Sequence, residues 1–213
     1  MNPASISPGT RTQGAIRRSA GPLLCVVLLA TSGGASAAEE ERVQRASPPK
    51  AIVDFELTDQ LGQPRKFSNF RGGPVLVFFG FTNCPDVCPA AMQQLKLLKR
   101  LPDKELRRTQ VVMISVDGVR DTPAQLKAYL EPISKSMVGL TGPPLKVRGI
   151  AAQFSAVFFK GAPTDKSGAY RVEHTSQLYL VDAAGNLRAT FFNPTVETLR
   201  SAAKEMAKEK VSG

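Results

Sequence analysis

The apolar run Pro74-Val75-Leu76-Val77-Phe78-Phe79-Gly80 constrains this chain more than any other feature, because a continuous stretch of that length reads as a strand buried on both faces. Such a strand belongs at the centre of a sheet. The period then changes at once: Cys88, Ala91, Met92, Leu95 and Leu98 recur at three- and four-residue steps, one face of a helix that ends near Leu101-Pro102. Val111-Val112-Met113-Ile114-Ser115-Val116 is a second buried strand. After it, Thr122 and Pro123 supply an N-cap and a first-turn proline for a helix through Leu126, Tyr129 and Leu130. Strand, helix, strand, helix predicts parallel pairing with right-handed crossovers.

The flanks complete the pattern. Ahead of the central strand, Phe55-Glu56-Leu57 and Arg65-Lys66-Phe67 are joined through Gln60-Leu61-Gly62 as a small hairpin. Behind it, Met137 to Leu140 and Ala156 to Lys160 add short strands around a helix near Val147 to Phe154. Leu178-Tyr179-Leu180-Val181 and Leu187 to Phe192 bracket Asp182-Ala183-Ala184-Gly185-Asn186, a second hairpin with glycine available for positive φ. Val196 to Lys208 closes the chain as a helix. A βαβ half followed by a ββα half on one sheet is the thioredoxin arrangement: an α/β fold with a central mixed sheet flanked by helices and an N-terminal hairpin.

The net charge of +10 over 213 residues raises nucleic-acid binding, but the distribution argues against it. Arg11, Arg17 and Arg18 lie ahead of the folded region, and pairs such as Lys99-Arg100 and Arg107-Arg108 are separated by apolar or acidic residues. No aromatic stripe alternates with the bases as a single-strand binder requires. The charge reads as a solvated basic surface, with attraction to anionic lipid or an acidic partner as its functional consequence. Arg17-Arg18, the apolar stretch Leu23 to Ala30 and Ala35-Ser36-Ala37 form the three parts of an export signal over residues 1–37. The uncharged interval from Ser19 to Ala38 is also long enough to stay as a membrane anchor. Residues 38–50 read as a polar linker, and residues 51–210 as one domain.

Cys25 lies inside the export segment, so cleavage leaves only Cys84 and Cys88. A disulfide closing so short a loop restricts the unfolded chain little, which points to a chemical purpose for the pair. Both stand in Gly80-Phe81-Thr82-Asn83-Cys84-Pro85-Asp86-Val87-Cys88-Pro89, where the central strand hands over to a helix at the carboxyl edge of the sheet. Pro89 must sit in the first helical turn, which puts Cys88 in or beside that turn, where the helix dipole lowers a thiol pKa. The spacing lets both sulfurs face one pocket, for a metal or for a disulfide. His174, the sole histidine, directly precedes the strand that begins at Leu178. In this fold that position approaches the dithiol. A redox enzyme would place a cis-proline there, yet no proline stands between Thr164 and Phe192. Two thiolates and an imidazole form a soft set suited to Cu(I), and to Cu(II) if an oxygen completes the site. Structural zinc would want four protein ligands, and the exported chain has no third cysteine and no second histidine. Asp86 is available as a fourth or outer-sphere oxygen, or as an acid complementing the helix dipole.

The chain resembles the Sco/SenC family, thioredoxin-fold copper chaperones of respiratory oxidase assembly. The resemblance rests on Phe79 to Pro89, on Ile114-Ser115-Val116-Asp117 with Arg120-Asp121-Thr122-Pro123, on Gly139-Leu140-Thr141-Gly142, and on His174-Thr175 through Tyr179-Leu180-Val181-Asp182. It covers about Ala51 to Lys208. It implies copper bound by Cys84, Cys88 and His174, and delivery to, or thiol reduction of, the copper site of cytochrome c oxidase subunit II or of another copper-oxidase subunit. An upstream periplasmic copper donor and a periplasmic or membrane-tethered location are also implied. Asn83 stands where many members carry histidine, and Gly118 where proline is common.

Two other functions share the fold. In a metal-independent thiol-disulfide oxidoreductase of the cell envelope, Cys84 and Cys88 would cycle between dithiol and disulfide. The three-residue gap and the missing cis-proline argue against it. A peroxidase would need a guanidinium or amide cluster beside its activated cysteine to polarise the peroxide, and Arg120 and Arg171 are the nearby candidates by sequence. They read more simply as a loop residue ahead of Thr122 and a strand-edge charge.

Overall fold

The computed structural model describes residues 42–85, 87–163 and 170–208. In chain order its elements are β1 (Arg42–Ala51), β2 (Glu56–Asp59), β3 (Pro64–Lys66), β4 (Val75–Gly80), α1 (Val87–Arg100), β5 (Gln110–Ser115), α2 (Pro123–Leu130) and β6 (Met137–Thr141). There follow α3 (Pro144–Gln153), β7 (Phe158–Pro163), β8 (Tyr170–His174), β9 (Leu178–Val181), β10 (Asn186–Phe192) and α4 (Val196–Lys208). Eight strands form one mixed sheet in the order β1-β10-β9-β4-β5-β6-β2-β3. β4, β5 and β6 run parallel, and β9 returns antiparallel beside β4. This is the thioredoxin-like α/β architecture expected from the sequence.

The apolar run at β4 behaves as its composition demands, with every residue from Val75 to Gly80 buried. Alternation divides its side chains between the two faces of the sheet. Phe79 meets Phe154 and Tyr179 edge-on, at centroid distances of 5.4 and 5.8 Å, and these two rings meet each other at 5.4 Å. That triad seats the end of α3 against β4 and β9. The start of α2 is fixed by a reciprocal cap: Thr122 Oγ1 accepts from the Gln125 N–H, and Gln125 Oε1 accepts from the Thr122 N–H. At the turn between β9 and β10, Gly185 adopts φ +97°, a conformation that penalises any Cβ.

Two expectations need correction. Residues 42–50, expected as part of a linker, belong to β1, which pairs antiparallel with β10 as the outermost strand of the sheet. Nearly all of β1 is exposed, so no apolar alternation marks it. Pro48 and Pro49 fall where its register with β10 breaks, between Arg45 and Lys50, the place an edge strand tolerates proline. The second correction concerns His174. It precedes the strand at Leu178, as expected, but as the end of a further strand, β8, which pairs with β7 in a separate two-stranded ribbon. The signal or anchor at residues 1–37 lies outside the described residues.

The closing helix is tied to the loop after α1 by Asp103, which accepts from Arg200 Nε at 2.7 Å and from Lys204 Nζ at 2.8 Å. Arg200 and Lys204 together hold the Asp103 carboxyl down at about 2. A carboxyl depressed in the folded state adds stability that is complete above its ordinary range near pH ~4 and is lost as pH falls through the folded value. The expected outcome is an acid-induced fall in thermal stability between those limits that is smaller in Asp103→Asn, measured by melting the two proteins side by side.

Candidate metal centre

Three elements bring the site together at the carboxyl edge of β4. After Gly80 the chain makes a tight turn, in which the Cys84 N–H donates to the Phe81 carbonyl at 3.3 Å. Cys84 thus precedes the helix, and Cys88 falls in the first turn of α1, as Pro89 requires. The ribbon of β7 and β8 delivers His174 from the other side. His174 Nε2 lies 3.3 Å from Cys88 Sγ and 3.8 Å from Cys84 Sγ, and all three ligand atoms lie within 4.8 Å of one another. Among the described residues this is the one cluster of three or more such groups able to hold a metal ion.

The geometry fixes the state of the imidazole. His174 Nδ1 sits 3.0 Å from the Thr175 carbonyl, which can only accept, so Nδ1 carries the proton. Burial holds the His174 pKa below its ordinary value, against hydrogen bonds to the Thr175 and Phe79 backbones that pull the other way. A neutral ring protonated at Nδ1 leaves the Nε2 lone pair facing the two sulfurs, the arrangement a metal ligand needs. The rings of Phe78 and Phe81 stand nearly perpendicular to the imidazole, at 6.0 and 5.6 Å, and restrict its rotation.

The thiols depart from the expectation drawn from the helix start. Cys88 has no exposed surface, and burial pushes its thiol pKa up rather than down, outweighing the hydrogen bond at Phe81. Desolvation of a thiolate in an apolar pocket exceeds what one helix terminus returns. Cys88 is therefore a protonated thiol at neutral pH, and a metal must displace its proton on binding. Both cysteines are free, so the structure is that of the dithiol. Asp86 lies outside the described residues.

Gly80 makes room for this sulfur. A Cβ there would lie 3.0 Å from Cys88 Sγ and 2.5 Å from the Phe78 ring, which is itself fully buried. Gly80→Ala is expected to cost about 1–3 kcal/mol through overpacking and to displace the sulfur from His174. A denaturant melt and a metal titration of the same variant check both effects.

Asp121, which carries no chemical signal of its own in the sequence beyond its place in Arg120-Asp121-Thr122-Pro123, underlies the whole turn. Its carboxylate has no exposed surface and accepts from the Thr82 N–H, from Thr82 Oγ1 and from Ser115 Oγ at 3.0, 2.6 and 2.7 Å. It thereby anchors the loop that presents Cys84 to the end of β5. Arg120, a candidate for polarising peroxide, is instead paired with Asp117 and donates to the Tyr170 carbonyl. Arg171 is exposed on β8. The Arg120 guanidinium is thus committed to Asp117 and Tyr170 rather than offered to a peroxide at the cysteines.

The fold and this constellation define the class: a thioredoxin-like domain whose dithiol faces a neutral histidine in place of a substrate-holding proline. The chain belongs to the SCO1/SenC family, whose model matches residues 43–209. It is similar to an SCO2-like protein of Rickettsia felis, 33% identical over 139 residues that span 65% of this chain and 68% of the relative. Among solved structures it is similar to copper-bound ScoI of Bradyrhizobium japonicum, with a TM-score of 0.66, 32% identity, and coverage of 73% of this chain and 99% of that one. It is also similar to BsSco, which carries a disulfide switch and is a member of the Sco family of cytochrome c oxidase assembly proteins. That match has a TM-score of 0.61 and 25% identity, covering 78% of this chain and all of the other.

Proposed function

We propose that this protein binds copper through Cys84, Cys88 and His174 and serves cytochrome c oxidase assembly, delivering copper to subunit II or reducing the cysteines of its copper site. The observation that carries the reading is the convergence of two sulfurs and an unprotonated imidazole nitrogen within 4.8 Å. Two thiolates satisfy Cu(I), and the nitrogen extends the set toward what Cu(II) prefers. A relative solved with copper bound and a relative from a family of cytochrome c oxidase assembly proteins support the reading of copper as the metal and of oxidase assembly as the setting. Residues 1–37 supply an export signal or an anchor, which places the domain in the periplasm or on the envelope membrane. Among the described residues no helix is long and apolar enough to cross a membrane.

The same sulfurs support a redox role. Loss of two electrons and two protons to an external oxidant would join Cys84 and Cys88 as a disulfide and remove the two sulfur ligands of the three, so oxidation would gate loading. A general oxidoreductase is a poorer fit. Where such an enzyme pairs its backbone with a substrate peptide, the Thr175 N–H already donates to the Val157 carbonyl at 3.0 Å, and the Thr175 carbonyl accepts from His174.

The deciding experiment is titration of the reduced full chain with Cu(I) without oxygen, and then with Cu(II), followed by optical absorption and electron paramagnetic resonance. Stoichiometric binding with sulfur-to-copper charge transfer is the expected result. Failure to bind, with a disulfide that exchanges freely with other thiols, would replace the copper reading by the oxidoreductase one.

A further inference from the structure

The two halves of the metal centre stand on different sheets. The cysteines are carried by the loop after β4 and by α1, whereas His174 ends a ribbon that, among the described residues, shares no ladder with the main sheet. A ligand on a separate ribbon keeps its distance only if something ties the ribbon down. The loop between β5 and α2 touches both halves. At its start, Asp117 is almost completely buried and accepts from the Tyr170 hydroxyl at 2.6 Å, at the end of β8 away from His174. The Arg120 guanidinium pairs with the same carboxylate and donates from Nη1 to the Tyr170 carbonyl at 3.2 Å. It also lies 4.0 Å from the Tyr170 ring centroid, and Lys160 Nζ of β7 lies 3.8 Å from the same centroid. Arg120 reaches the Phe81 ring at 5.7 Å, and Phe81 in turn stands against His174 at 5.6 Å.

We infer that Arg120, Tyr170 and Asp117 are positioning residues for His174, clasping the ribbon to the cysteine loop so that Nε2 is held over the two sulfurs. The geometric part stands without any metal; the consequence for copper rests on the function proposed above. Because two thiolates suffice for Cu(I) while Cu(II) depends on the nitrogen, the clasp sets how well the oxidised ion is kept.

Tyr170→Phe deletes only the hydroxyl bond and keeps the ring beneath both cations, whereas Arg120→Leu removes the guanidinium and Arg120→Lys restores its charge. In the full chain without copper, nitrogen resonances of the His174 ring should report a single Nδ1-protonated tautomer. In Arg120→Leu they should shift toward a mixture of tautomers, with Tyr170→Phe and Arg120→Lys in between. With copper, Arg120→Leu is expected to weaken Cu(II) binding roughly 10- to 100-fold, the usual scale for residues that orient a ligand, while Cu(I) binding changes little. Added to His174→Ala, it should weaken Cu(II) binding no further. An unchanged imidazole in Arg120→Leu, an equal loss of both copper ions, or a further loss in the double variant would overturn the inference. A wild-type protein that binds no copper while its imidazole still responds to Arg120→Leu would uphold the clasp and remove the copper reading alone.

Discussion

Replacing Cys88 by serine is expected to abolish tight Cu(I) binding while leaving the protein folded. Cu(I) is held by soft, polarisable sulfur, and a serine hydroxyl is a hard donor that stays protonated at neutral pH. The variant would offer one thiolate and one imidazole, so the loss should span several orders of magnitude rather than a modest factor. The fold should survive because the site can accept a hydroxyl. Cys88 Sγ lies 3.3 Å from His174 Nε2, whose lone pair is free to accept the serine O–H. A buried hydroxyl with a partner should cost about 1 kcal/mol, against about 1–3 kcal/mol for one left unsatisfied. Cys84→Ser should lose Cu(I) equally. His174→Ala should instead keep weakened Cu(I) binding and lose the Cu(II) form. Competition titrations against a Cu(I) chelator, run beside thermal melts, separate loss of ligation from loss of fold. Wild-type affinity in Cys88→Ser would place the copper site elsewhere in the chain.

How much of this was legible in the sequence depended on whether the signal was local. The apolar run of β4, the shift to helical period at Cys88, the Thr122-Pro123 cap and the span of α4 each express a local rule, and each appears where expected. The two cysteines and the histidine are legible as a set because β9 lies beside β4, so the residues just ahead of β9 approach the same edge as the cysteine loop, although His174 itself ends β8 on the separate ribbon. What could not be read was set by tertiary contact. β1 is polar, nearly all exposed and interrupted by two prolines, so nothing in its composition separates an edge strand from a linker. β8 has the alternation of a strand, but its partnership with β7 rather than with the main sheet is a fact of topology. The thiol of Cys88 departs from its helix-start expectation for a related reason. The helix start is visible in sequence, but the complete burial that overrides it is not. Asp121 and Arg120 belong to a motif, Arg120-Asp121-Thr122-Pro123, whose visible purpose is to start a helix. Their grip on Thr82 and Tyr170 spans 39 and 50 residues of chain.

Removal of the Asp121 carboxylate should have the largest effect on stability of any change near the site. A buried carboxylate that accepts three hydrogen bonds is held by charge-assisted interactions, each worth about 1.5–3 kcal/mol. Asp121→Ala leaves the Thr82 N–H, the Thr82 hydroxyl and the Ser115 hydroxyl without their acceptor. Thr82 is half-buried, so water can reach part of the gap. The net expectation is a loss of roughly 3–4 kcal/mol, a large share of the ~5–15 kcal/mol typical of a domain. Asp121→Asn distinguishes charge from shape. With its amide oxygen toward the Thr82 N–H and the Ser115 hydroxyl, its NH2 can donate to Thr82 Oγ1, which also accepts. Every bond is then kept in neutral form, and the cost should be near ~1 kcal/mol. The two variants should also differ at the cysteines. Asp121→Ala frees the turn that presents Cys84, so hydrogen exchange at the Thr82 and Cys84 amides should accelerate beyond the global change, and Cu(I) affinity should fall with it. Asp121→Asn should keep both close to wild type. Denaturant unfolding read together with exchange at these two amides tests the argument, and an Asp121→Ala protein within about 0.5 kcal/mol of wild type would refute it.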